Sequence, residues 1–322
     1  MNRPVLRIAA LLAAGACTAV VAQGYPSKPI RLVVGFAPGG AADTVARAYA
    51  EPMSRALGQP VIVENRAGAG SSIAADNVAK SAPDGYSILI ASPASISVNP
   101  AINPKLGYKP SDLMAVTKVS TSPLLVVVNP DTGIRSVKDL VATAKRVPGQ
   151  LNYATSGVGS APHFGAALFS QVTGIDMVHV PFKGGAPAAV AVVAGDVQLS
   201  FATPPSVLPM VKAGRLRALA VTSPERSPLM PEVPGMVAAG FPDYAIAFWY
   251  GIFVPAGTPR DVVQTLFNAA QAAARDPQVK AALAREGTEV ATSSSPEDFA
   301  AFLVQDEKLW VKLAKDTGAR AD

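Results

Sequence analysis

The strongest constraint on this chain is a unit that recurs along it: a short apolar strand, a glycine-rich loop, then a helical pattern. "PIRLVVGF" (29–36) is rich in β-branched and apolar residues and predicts a strand. "GFAPGGAAD" (35–43) follows and turns the chain into a helix over 43–57. There Val45, Tyr49, Met53 and Ala56 recur at steps of three or four and share a face, with Pro52 expected to kink the helix. "PVIVEN" (60–65) predicts a second strand, "AGAGSS" a loop into a helix over about 72–81, and "DGYSILIAS" (84–92) a turn and a third strand. Strands and helices alternating through short links predict a parallel sheet.

The pattern restarts at "LLVVVN" (124–129). A helix over 136–146, with Ser136 and Asp139 spaced as a capping box, leads to a strand at 151–155, the loop "SGVGSAPH" and a helix over 162–173. Strand 177–182, loop "KGGAPA", helix 186–194, strand 197–203, helix 205–213 and strand 216–222 complete a second unit. A proline-rich traverse (223–243), a strand "FWYGIFVP" (248–255) and helices near 259–275, 276–286 and 296–317 close the chain. Pro259, Pro277 and Pro296 each stand near a helix start, where a missing N–H is harmless.

The expected fold is therefore α/β and two-lobed, each lobe a mostly parallel sheet flanked by helices, with a cleft at the strand ends between them. Residues 23–123 plus 240–322 form the expected first lobe and 124–239 the second, with crossings near 120–124 and within 224–250. A chain of 322 residues is long enough for two such domains.

The N-terminus is set aside from the fold. Residues 1–22 carry Arg3 and Arg7, then an uncharged apolar stretch, then "VVA", the pattern of a cleavable secretory signal. Cys17, the only cysteine, lies inside it in "AAGAC", whose Ala14 departs from a lipoprotein processing box. Removal of residues 1–22 leaves no thiol for a disulfide or for catalysis. An exported, cysteine-free, monomeric protein of a bacterial periplasm is expected. The net charge is +5; without Arg3 and Arg7 the 28 basic side chains become 26 against 23 acidic ones. No basic run exceeds two residues, which argues against nucleic acid as a partner.

The loops carry the candidate chemistry. After strand 29–36, Gly39 and Gly40 are placed to aim N–H donors outward, with Asp43 as the helix N-cap. "TSGVGSAPH" (155–163) holds the equivalent place in the second unit, with Ser156, Gly157, Gly159, Ser160 and His163. "FKGGAPA" adds Lys183 and Gly184. Each loop alone also reads as a capped turn with nothing bound; two donor-rich loops at facing strand ends suit two-sided capture of an anion. "GAGSS" (68–72) begins like a dinucleotide fingerprint, but Ile73 stands where its third glycine is needed, so no nicotinamide cofactor is expected. His163 and His179 belong to no cluster with metal-ligand spacing, and no metal or other cofactor is expected. His179 lies within "MVHVPF" as a structural residue, and Trp249 and Tyr250 read as packing residues. A hydrolase using Ser160 and His163 is the remote alternative, without a third group to orient the histidine.

The whole chain resembles the substrate-binding proteins of tripartite tricarboxylate transporters, the Bug (Bordetella uptake gene) family. The resemblance rests on ordered blocks: "YPSKPIRLVVGFAPGGAADTVAR", "GQPVIVENRAGAGSSIAA", "APDGYSIL", "YATSGVGSAPHF", "VPFKGGAPA", "AGRLRALAVTS", "MPEVPGMVAAGFPDY" and "WYGIFVPAGTP". It implies a periplasmic, type II-like solute-binding fold that holds a small carboxylate between its lobes and serves membrane transporter subunits; a sensor presenting ligand to a membrane receptor is the alternative of the same fold. The implied contacts run from Phe36 through Pro38 to Asp43 and from Ser156 to His163. "FKGG" and "FATPP", with Thr203, would shape the far end, and Ser92 at the end of the third strand joins the candidate set. Many relatives carry Asp at the place of Gln198 or Ala202, so a ligand bearing an amino group is less expected here.

Overall fold

A five-residue run "IRLVV" with almost no polar content must be covered on both faces, and β1 (Ile30–Val34) is: all but Arg31 are fully buried. In this computed structural model, which describes residues 24–316, the elements then run α1 (Ala41–Leu57), β2 (Val61–Asn65), α2 (Ser72–Ala79), β3 (Ser87–Ala91), a one-turn α3 (Asn99–Ile102) and β4 (Leu113–Pro123). The second run is β5 (Leu125–Val128), α4 (Val137–Arg146), β6 (Asn152–Thr155), α5 (Ala161–Thr173), β7 (Val178–Pro181), α6 (Gly185–Ala194), β8 (Leu199–Ala202), α7 (Pro204–Lys212), β9 (Arg217–Val221) and the short α8 (Met236–Ala239). The return brings β10 (Ala247–Pro255), α9 (Arg260–Arg275), α10 (Pro277–Arg285), β11 (Glu289–Val290) and α11 (Pro296–Asp316). The expected signal segment 1–22, with Cys17, lies outside the described residues.

Two sheets result, ordered β11-β4-β10-β3-β1-β2 and β7-β6-β8-β5-β9. β1 pairs in parallel with β2 and β3, and β6 with β7 and β8. The other pairs are antiparallel, yet four of the six strands in the first sheet and four of the five in the second run the same way. The architecture is thus the two-lobed α/β arrangement, each mostly parallel sheet carrying helices. Among the described residues no helix is long and apolar enough to cross a membrane.

Three local differences from the sequence reading have physical causes. Helix α1 begins at Ala41, not 43, because Gly40 in an extended conformation serves as its N-cap, and it continues through Pro52 to Leu57. The Ser136 hydroxyl does cap α4 by accepting the Asp139 N–H at 3.0 Å, but the Asp139 carboxylate accepts from Arg135 rather than closing the box on Ser136. β4, eleven residues long, has no counterpart in the periodicity reading. Its sequence "LMAVTKVSTSP" hides the strand because Thr117, Ser120 and Ser122 are buried against neighbours while reading as polar. Trp249 and Tyr250 are packing residues: both are buried in β10, and the Trp249 indole donates to Asp306 at 2.8 Å.

The chain passes between sheets at two places, after β4 and before β10, and one side chain joins both. The Thr222 hydroxyl accepts the Leu124 N–H at 2.7 Å and donates to the Ile246 carbonyl at 2.6 Å. Its backbone bonds the same two residues, donating to Leu124 O at 2.9 Å and accepting from Ile246 N at 3.1 Å. Thr222 has no exposed surface. Replacing Thr222 by the near-isosteric valine strands a buried donor and a buried acceptor, so T222V should lose about 2–4 kcal/mol of unfolding free energy, read from urea denaturation.

Candidate functional site

The loop after β1 is held by its own carboxylate. Asp43 sits in the first turn of α1, 4% exposed, and reaches back to accept the Gly39 N–H at 3.0 Å. The same oxygen takes the Arg47 guanidinium at 2.9 Å, and its other oxygen takes the Asn65 amide at 3.0 Å. Asn65 also donates to Phe36 O, tying the loop to β2. Burial raises the Asp43 pKa, but the hydrogen bonds from Arg47, Gly39 and Asn65 and the Arg47 charge outweigh it and hold the carboxyl below its ordinary value. Two expectations are corrected here. Asp43 is the third residue of the helix rather than its N-cap, and the Gly39 N–H is spent on Asp43 rather than aimed outward. The Gly40 N–H leans on Ala37 O at 3.4 Å.

The second-lobe loop is organised in the same inward fashion. The Ser160 hydroxyl donates to Gly157 O at 2.6 Å, and the Gly159 N–H donates to His163 Nδ1 at 3.2 Å. His163 is buried and stacks on His179 with ring centroids 4.1 Å apart. Burial, with His179 adding to it, pushes its pKa down to about 3, so it brings no positive charge to the cleft at neutral pH. His179 Nε2 lies 2.6 Å from Thr155 Oγ1, inside the lobe as read from sequence. Ser160 and His163 are each engaged by loop backbone, so they are not assembled as nucleophile and base.

The lobes meet at these loops. The Ala37 N–H donates across the cleft to Lys183 O at 3.2 Å. Gly184 lies so close that a Cβ on it would fall 2.9 Å from Ala37 N. On the other side of the opening, a Cβ on Gly70 would overlap Val158 O. Between these contacts lies a cavity of about 280 Å³. The first lobe lines it with Gly35, Phe36, the loop 68–72, Asn99 and Asn103; the second with Ser156, Gly157, Val158, Pro181, Phe182 and Lys183. Among the described residues Lys183 is the only ionisable side chain lining this wall, and no carboxylate lines it.

Of the expected residues, Phe36, Ser156, Gly157 and Lys183 line the cavity. Pro38 and Gly39 are exposed outside it, and Gly40 and Gly184 pack at the lobe-to-lobe contact. Asp43, Gly159, Ser160 and His163 stand behind the wall as loop supports. Ser92 is buried, its carbonyl accepting from Ser95 and Ile96, and the Thr203 hydroxyl pairs with Ser206 Oγ at 2.9 Å at the start of α7. Gln198 is also structural, accepting the Asn152 N–H at 2.9 Å.

The largest omission of the sequence reading is the loop 68–72. It occupies the same strand-to-helix place as 35–40, which is the signal that finds it. Asn99, 5% exposed, holds it by donating to Ala69 O, Gly70 O and Ser72 Oγ at 3.1, 3.1 and 2.7 Å. Among the described residues no group of His, Cys, Asp and Glu is arranged to hold a metal ion.

Asp43 gives this site a testable pH signature. A carboxyl whose folded pKa is depressed stabilises the fold above its unfolded pKa and loses that contribution as pH falls through the folded value. Asp43→Asn should therefore cost about 1–3 kcal/mol at neutral pH. The gap between wild type and variant should hold from pH 8 to 5 and shrink below the ordinary carboxyl value of 3.8, as read by thermal denaturation across pH.

Comparison with known proteins places these features in a family. Residues 45–318 match the model of the "Tripartite tricarboxylate transporter family receptor". The chain is 36% identical to Protein BugT of Bordetella pertussis over 309 residues, 95% of this chain and 94% of that one. Among solved structures it is similar to R. palustris Rpa4515 with adipate, at 33% identity and a TM-score of 0.88 over 92% of this chain and 99% of that one. MatC (Rpa3494) from Rhodopseudomonas palustris with bound malate gives 30% identity and a TM-score of 0.84 over 90% and 99%. The chain belongs to the tripartite tricarboxylate transporter receptor family and is a Bug-type solute-binding protein.

Proposed function

We propose that this protein captures a small organic carboxylate in the cavity between its lobes and hands it to the membrane subunits of a tripartite transporter, acting as a binding protein in the periplasm once residues 1–22 are removed. The observation that carries the reading is the wall itself. It offers hydroxyls, amides and backbone from loops at strand ends, one cation at Lys183 and no carboxylate. Such a wall favours an anion and gives an ammonium group no anionic partner. The malate and adipate held by similar proteins agree with it.

Closure belongs to the mechanism. The Ala37–Lys183 backbone bond and the Gly70–Val158 contact exist only when the lobes are together. A ligand touching both walls binds that state better and shifts the population toward it. Supply of the ligand to a transporter then follows from reopening.

Thermal denaturation with adipate, malate, benzoate, alanine and glucose tests the reading. At least one of the three carboxylates should raise the melting temperature in a concentration-dependent way. Stabilisation by alanine or glucose alone would sink the proposal. Lys183 is exposed at the edge of the cavity, so K183A should weaken carboxylate binding by only about fivefold, read by calorimetry.

A further inference from the structure

Ser71 is anomalous in three ways at once. Its φ is +76°, in the left-handed region that residues other than glycine seldom occupy. It has no exposed surface, and its hydroxyl finds no hydrogen-bond partner among the described residues. It also belongs to the cavity wall. The adjacent Ser72 hydroxyl shows what a structural serine does in the same loop: it accepts the Asn99 amide at 2.7 Å.

Glycine would hold this backbone with less strain and leave no idle hydroxyl. The Ser71 hydroxyl therefore serves no hydrogen bond among the described residues. Its hydroxyl rests against Gly35, the first residue after β1, where a Cβ would overlap it. Gly35 lines the same cavity, so the hydroxyl stands between the two first-lobe loops that face the ligand space. Donation into that space requires rotation about χ1 away from Gly35 to another staggered well.

We propose that Ser71 is a specificity-determining residue of the cleft, its hydroxyl donating to a carboxylate oxygen of the bound ligand. The assignment rests on the carboxylate reading above and adds a side-chain contact to it. A hydrogen bond to a charged acceptor accounts for a buried hydroxyl that is otherwise unpaired.

Calorimetric titration of the mature wild-type chain, S71G and S71A with adipate, malate and benzoate tests it, with melting temperatures measured on the same samples. S71G should melt at the wild-type temperature or above, because glycine relieves the left-handed backbone, while its affinity for the carboxylate that the wild type binds falls about tenfold. S71A, which keeps the strain and removes only the hydroxyl, should show a similar loss of affinity. Affinity of either folded variant within twofold of wild type overturns the assignment, as does an S71G melting temperature several degrees lower, which would make the hydroxyl a structural group. A wild type that binds none of the three probes overturns the carboxylate reading together with this assignment; unchanged binding by the variants overturns this assignment alone.

Discussion

Both strands that join the two lobes are gathered by Thr222, and the cleft depends on that junction. Leu124 opens the path into the second sheet and Ile246 ends the path back; Thr222 bonds each through its backbone and its hydroxyl. Two adjacent, cross-bonded connections permit the lobes to rotate about a common line but resist their sliding past each other. That restriction matters because the ligand wall is built from both lobes. A lateral slip of a few ångströms would separate loop 156–160 from loop 68–72 and leave two half-sites. The residue that keeps the halves in register touches no part of the cavity.

Closure is then limited by how near the loops can come. At Gly184 against Ala37, and at Gly70 against Val158, backbone meets backbone with no room for a Cβ. Glycine at these points follows from the approach distance as much as from the φ values of +148° and +57°. The loop interiors are tied just as firmly. Asp43, Asn65 and Arg47 fix the first loop, Asn99 fixes loop 68–72, and Ser160 with His163 fixes the second-lobe loop. Loops this well bonded to themselves meet a ligand already shaped, which lowers the ordering cost of binding.

The element pattern was legible in the sequence because strands such as "IRLVV" are buried on both faces and the amphipathic helices carry their apolar residues at helical spacing. β4 was not, because its buried Thr117, Ser120 and Ser122 break the apolar signature. The loops at 35–43 and 155–163 are legible as strand-to-helix loops, but of the ten candidate residues in them only Phe36, Ser156 and Gly157 line the cavity. Sequence spacing shows that Asp43 lies near Gly39; it does not show that the carboxylate consumes the very N–H thought to be on offer. His163 illustrates the same limit, since its ring disappears into a stack on a histidine sixteen residues away. In the sequence the loop 68–72 reads only as a failed dinucleotide pattern. Failure to fit one ligand says nothing about another, and the loop's place between a strand and a helix was the better guide.

What the wall selects follows from what it lacks. On the proposed reading, a wall with one cation at its edge and, among the described residues, no acid suits an anion through groups common to every carboxylate, so recognition of the charge and recognition of the molecule are separate tasks. The charge is met by loops whose geometry is set by glycine and by buried braces. On that reading the rest of the molecule meets the few side chains between those loops, Phe36 and Phe182 as apolar surfaces and Asn103 as a polar one, while Ser71 is assigned to the carboxylate itself. Asn103 accepts the Lys105 N–H at 2.9 Å through its carbonyl. On the proposed reading, these polar and apolar surfaces together suit a ligand whose polar ends are separated by a hydrocarbon body.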